Sequence, residues 1–198
     1  MTRLFLVLGL VASVAVCVPN ATAKPPSTEP KAPKQIDQTP PLVRIPNAHV
    51  SDQGLLVGGQ PSLPQLELIQ QAGYRTVISL RTERESGDEG ERERVERLGM
   101  KFVSIPVPGP EGLTEANART ISKALDEQDA LPAVVHCLSG QRSAALLGLE
   151  VFVVDRKPPA VAMDYAKQLG LRKLEPALRE RIREICKADA SRNCEGVK

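Results

Sequence analysis

Aromatic residues are scarce in this chain of 198 residues, with three Phe, two Tyr and no Trp. A core must therefore be aliphatic. The stacking platforms that hold single-stranded nucleic acid have few rings to build on. Neither sign of charge is in excess, with 26 Lys and Arg against 24 Asp and Glu. No basic stripe stands out, so no nucleic-acid partner is expected. Histidine is limited to positions 49 and 136. That excludes a multi-histidine metal site, and the four Cys (17, 137, 186 and 194) do not fall at zinc spacings. Neither a metal nor a cofactor is expected. What the chain does have is 41% hydrophobic residues, enough for the core of one ordinary domain.

The longest apolar run is too short to cross a bilayer. Residues 4–18 are almost wholly apolar, whereas a spanning helix takes about 20 such residues. Arg3 precedes the run, and Ala21-Thr22-Ala23 offers small residues where a signal peptidase reads. Residues 1–23 therefore read as a signal peptide cut after Ala23. An uncleaved anchor, or a lipid on Cys17, are the alternatives. Residues 24–46 carry seven Pro and read as a linker, because such segments have no internal hydrogen bonds. The domain is placed at 47–198. The expectation is an exported chain, periplasmic or secreted, with no membrane contact after signal removal.

Within the domain, short apolar runs alternate with helical patterns. Strands are expected at 54–57, 76–80, 101–105 and 133–136. Helices are expected at 63–72, within the charged run 81–97, and at 114–127, 142–154, from 158 onward and at 175–187. The charged run reads as a solvated face. This alternation predicts an α/β fold: three layers, with a mostly parallel, four- to five-stranded sheet flanked by helices. In such sheets ligands sit beyond the carboxyl ends of the strands.

Residues 136–143 read His-Cys-Leu-Ser-Gly-Gln-Arg-Ser between a strand and a helix. The turn of Leu138, Ser139, Gly140 and Gln141 can curl its N–H groups into an anion-binding nest, so these four are candidate substrate-binding residues. The helix N-terminus adds its positive end. Arg142 supplies a planar, two-pronged donor for an oxyanion. All three favour the thiolate of Cys137, a candidate nucleophile. Ser143 is placed to hydrogen-bond the sulfur. His136 is expected to order the loop and is not assigned as a base. Arg81, ending the second strand, is read as pairing with Glu83 or Glu85.

Several segments, in order, resemble the protein tyrosine phosphatase superfamily: Gly59-Gln60-Pro61-Ser62, the run 72–81, Ile105-Pro106-Val107, and the 136–143 loop with Ala144-Ala145 after it. The resemblance is to its bacterial branch, the β-lactamase-hydrolase-like protein phosphatase-like domains, and covers about half of the chain. It implies a compact α/β hydrolase, with Cys137 as nucleophile, Arg142 as oxyanion clamp and Ser143 as helper, acting on a small anionic or phosphorylated substrate. Oligomeric state is not readable.

Two departures from that pattern matter. Four residues separate Cys137 from Arg142, where these phosphatases usually have five. The shorter loop is the one rhodanese-like sulfurtransferases carry, so a Cys137 persulfide is an alternative chemistry. The loop where an Asp usually serves as general acid has none before Asp126. Glu111 is the carboxylate nearest that place, or else a solvated loop residue. Three readings follow: a phosphatase-like hydrolase, a sulfurtransferase, or a non-catalytic anion-binding module. The remaining Cys186 and Cys194 are expected to pair as a disulfide in an oxidising compartment, leaving Cys137 as the thiol.

Overall fold

The computed structural model describes residues 44–87, 89–189 and 191–196. The expected signal peptide, and the expected linker up to residue 43, lie outside the described residues.

The described chain runs β1 (His49–Val50), β2 (Leu55–Gly58), α1 (Leu63–Gln71), β3 (Thr76–Ser79), α2 (Glu91–Arg97), β4 (Lys101–Ser104), a 3₁₀ turn at Pro110–Gly112, α3 (Glu115–Asp126), β5 (Ala133–His136), α4 (Gln141–Val153), α5 (Pro159–Gln168) and α6 (Glu175–Ala188). The strands lie in the order β1-β2-β5-β3-β4. β2, β5, β3 and β4 are parallel, and β1 is an antiparallel edge that the sequence pattern did not announce. The expected α/β class and mostly parallel sheet are what the chain adopts.

Successive strand residues point to opposite faces, and the core divides accordingly. Leu56, Val77 and Val134 pack with Leu66 and Ile69 of α1 and Val95 of α2. Leu55, Val57, Ile78, Ala133 and Val135 pack with α3 to α6 on the other face. These are the three layers. α4 is the innermost helix. Ten of its thirteen residues are buried, which is why its sequence is apolar all round. The ends of the helices follow their chemistry. The Ser62 N–H donates to Gln65 Oε1 at 2.7 Å ahead of α1, and Thr114 Oγ1 accepts from the Asn117 N–H at 3.1 Å at the start of α3.

The last helix docks through Leu178, Ile182 and Ile185. Cys186 and Cys194 form a disulfide, as expected from their place in the chain. Between them, Arg192 pairs with Asp189 and Glu115 and stacks over the Phe152 ring at 5.3 Å. Closing so short a loop should contribute roughly 2 to 3 kcal/mol. Reduction of the purified protein should therefore lower the denaturant midpoint by that equivalent. An unchanged midpoint would mean that the tail adds nothing to the stability of the domain.

Candidate active site

The site grows out of the end of β5, the middle strand of the five. The chain crosses from the α1–α2 face to the α3–α4 face between β4 and β5. Such a switch leaves a crevice at the carboxyl edge of the sheet. Cys137 is the first residue past β5 and is only 1% exposed.

The turn after it is pinned from outside by its carbonyls. Leu138 O accepts from the Gln60 N–H at 3.3 Å, and Ser139 O accepts from Asn47 Nδ2 at 3.1 Å. Gly59 forms an isolated bridge with Ser139. A Cβ on Gly59 would stand 2.8 Å from the Leu138 carbonyl, so only glycine permits this approach. With the carbonyls held outward, the N–H groups turn to the sulfur. Gly140 N–H lies 3.1 Å from Cys137 Sγ, and those of Ser139, Arg142 and Ser143 also face it. Gly140 caps α4 with φ +85°, a conformation that side chains resist. The result is a nest of N–H groups on a helix N-terminus, which is an anion-binding arrangement.

Burial alone pushes the Cys137 thiol up. The N–H groups of Ser143 and Ser139, the positive charge of Arg142 and its own N–H act against it and leave the thiol below its ordinary value. Arg142 is rigidly held. Its Nη1 and Nη2 donate to the two oxygens of Glu85 at 2.7 and 2.6 Å, and Nη1 also donates to the Val107 carbonyl at 2.8 Å. Bidentate pairing of this kind fixes the plane of the guanidinium. The Arg142 bond holds the Glu85 carboxyl down at about 2; burial opposes it, while the Thr82 N–H and the Arg142 and Arg81 charges assist. Glu85 is therefore ionised at neutral pH and has no proton to give.

A second layer of charge lies behind. Arg81, only 4% exposed, donates from Nη1 to Gln60 Oε1 at 3.2 Å and from Nη2 to the Ser86 carbonyl. Gln60 Nε2 donates to Glu91 Oε1 at 2.9 Å, and His136 Nε2 stands 3.1 Å from that same oxygen. Arg81 thus has the structural place read for it, with its Nε 4.0 Å from Glu85. The solvated reading of 81–97 needs correcting at Glu91, which is 2% exposed. It lies four residues before buried Val95, on the same face of α2.

The other candidate residues fall as follows. Ser143 meets the sulfur through its backbone; its buried hydroxyl has no partner within the described residues. Leu138 is exposed at the mouth and Ser139 beside it. The Gln141 side chain turns away from the sulfur and bonds the backbone at 170–173, leaving only its N–H for the nest. The pull is simple, since these backbone groups of the loop between α5 and α6 lie outside any helix and need partners. Glu111 sits exposed on the 3₁₀ turn, its carboxylate folded over Gly109. Its loop reaches the site through Val107, which touches Arg142. Glu85 was missed as the Arg142 partner. The clue was present in a carboxylate just past a strand that ends on the active edge. The described residues contain no group of three or more ligands fit for a metal ion.

No family model matches the chain. In sequence it is similar to the beta-lactamase hydrolase-like protein of Xylella fastidiosa, at 28% identity over 109 residues, or 53% of this chain. The chain spans only 25% of that relative's length. Among solved structures it is similar to a candidate phosphatase (DUF442) of Shewanella putrefaciens. The identity there is 25% and the TM-score 0.58, over 72% of this chain and 95% of that one. TpbA of P. aeruginosa matches in fold, with a TM-score of 0.55 at 17% identity, over 70% of this chain and 84% of that one. The chain therefore has the fold of the phosphatases of the protein tyrosine phosphatase type, the fold that its Cys-to-Arg loop and the segments before it imply.

Proposed function

We propose that this chain is a cysteine-dependent phosphatase-like hydrolase acting on phosphate monoesters. One observation carries the reading: a buried thiol, lowered below its ordinary value, lies at the floor of a ring of N–H groups that Arg142 completes. The Cys137 thiolate attacks phosphorus from within the nest. The P–O bond to the leaving group breaks, and its electron pair goes to the departing oxygen. The N–H groups and Arg142 bind the non-bridging oxygens, where charge sits in the transition state. Glu111, on the loop that reaches Arg142 through Val107, is the proton donor in this scheme. Water then attacks the phosphocysteine, Glu111 accepts the proton, and the thiolate and phosphate separate. We also propose export, on the strength of the apolar run at 4–18 and the Cys186–Cys194 disulfide.

The short Cys-to-Arg spacing favours a second reading. A four-residue turn makes a smaller ring, which suits the terminal sulfur of a persulfide. A paired turnover assay separates the two, with one arm an aryl phosphate and the other thiosulfate plus cyanide. Phosphate release blocked by iodoacetate supports the first reading. Sulfur transfer without phosphate release would replace it with the second. Silence in both arms would leave an anion-binding module.

Glu111→Gln tests the donor. An aryl phosphate leaves with little help, so its kcat/KM, which reports only the first step, should change less than about threefold. An alkyl phosphate needs the proton and should lose on the order of a hundredfold. Equal small effects on both substrates would remove Glu111 from the mechanism.

A further inference from the structure

Gln141 sits at the seam between the nest and a second piece of surface. It follows Gly140 directly, and its side chain makes three bonds to one loop. Nε2 donates to the Gly170 carbonyl at 2.8 Å, while Oε1 accepts from the N–H groups of Arg172 and Lys173 at 2.8 and 2.7 Å. The loop between α5 and α6 is thus fastened to the rim of the nest. It is packed closely there, since a Cβ on Gly170 would fall 2.3 Å from His49 Nε2.

This loop presents two adjacent cations. Arg172 and Lys173 are exposed, and no carboxylate pairs with either side chain among the described residues. The cations around them differ. Lys167 and Arg179 share Glu175 at 3.1 and 2.8 Å, Arg181 meets Glu184 at 2.8 Å, and Arg183 meets Glu180. The helices on either side therefore neutralise their own charges. The segment bonded to the nest leaves its charges to solvent.

We propose that Arg172 and Lys173 form a second anion subsite, so that the preferred substrate is a phosphate monoester bearing another phosphate group close to the first. The inference rests on the phosphatase reading and deepens it. The ester enters the nest over Cys137, and the second phosphate lies across the Gln141 seam on the two cations. Charge there lowers KM and leaves kcat alone, because these side chains bind the part of the substrate that does not react.

The test compares phenyl phosphate with benzene carrying two phosphate esters in meta relation. The proteins are the natural chain and the Arg172→Gln/Lys173→Gln variant. After the twofold statistical factor, the natural chain should favour the bisphosphate by about tenfold in kcat/KM, the scale of two exposed ion pairs. The variant should lose that preference through KM and keep its activity on phenyl phosphate. Added salt should erode the preference as well. No preference in the natural chain, or equal losses on both substrates, would overturn the subsite while the phosphatase reading stood. If the natural chain cleaves neither compound, that reading fails. The subsite is then judged by calorimetry with pyrophosphate and phosphate. Tighter pyrophosphate binding that vanishes in the variant supports it, and equal binding overturns it.

Discussion

Cys137→Ser is expected to reduce phosphate release roughly 10⁴-fold or more, the scale on which removing a covalent nucleophile acts. The nest that ionises a thiol cannot ionise a hydroxyl at neutral pH, because the alcohol starts several units higher. The substitution changes little else. The Gly140 N–H that faces sulfur at 3.1 Å can donate to oxygen, and the side chain keeps its size. Folding should therefore be preserved within about 1 kcal/mol. Phosphate should still bind, since the N–H groups and Arg142 remain. Calorimetric titration of phosphate on the variant reads the last point. A variant that binds phosphate and does not turn over assigns the loss to chemistry. A variant that keeps its activity would move the nucleophile away from position 137.

Glu85→Gln should act on both stability and rate. The native pair is bidentate and mostly shielded, with Glu85 24% and Arg142 12% exposed. The Glu85 carboxyl lies at about 2 in the folded chain against an ordinary 4.5. A depressed carboxyl contributes stability that is fully present above its unfolded value, and that stability is lost as pH falls from there toward 2. The contribution is on the order of 2 kcal/mol once partial exposure is discounted. Native and variant proteins should therefore differ most in denaturant midpoint at pH 7. The difference should close on the way down to pH 2. A gap of the same size at every pH would mean the loss is one of packing. Catalysis should fall about tenfold in kcat, because the guanidinium loses the clamp that sets its plane.

The strands were legible because each is an unbroken apolar run with turn residues at its ends. Ala133, Val134 and Val135 need no context to read as buried. The Cys137-to-Ser143 turn was legible for another reason. Its residues have few joint uses other than holding an anion. What could not be read were contacts set by tertiary approach. Gln141 looks like a nest residue in sequence, and its side chain is drawn off by N–H groups some thirty positions later. Glu85 and Glu91 lie in a run with charges of both signs. Composition cannot say which of those charges the sheet edge will cover. The burial of Glu91 had a faint signal in its spacing to Val95. The pairing of Glu85 with Arg142, 57 residues away, had none beyond its place after β3.

The pairing of Cys186 with Cys194 has a cost for Cys137. Many enzymes with a low-pKa thiol protect it with a resolving cysteine. Such a neighbour traps a sulfenic acid as a disulfide before peroxide can carry it further. Here the two other cysteines among the described residues are already spent on each other. Among the described residues no free thiol remains to trap a Cys137 sulfenic acid, and its next step in excess peroxide is the sulfinic acid, where recovery ends. What then competes with further oxidation is capture by a backbone nitrogen of the nest, or by an external thiol small enough to reach its floor.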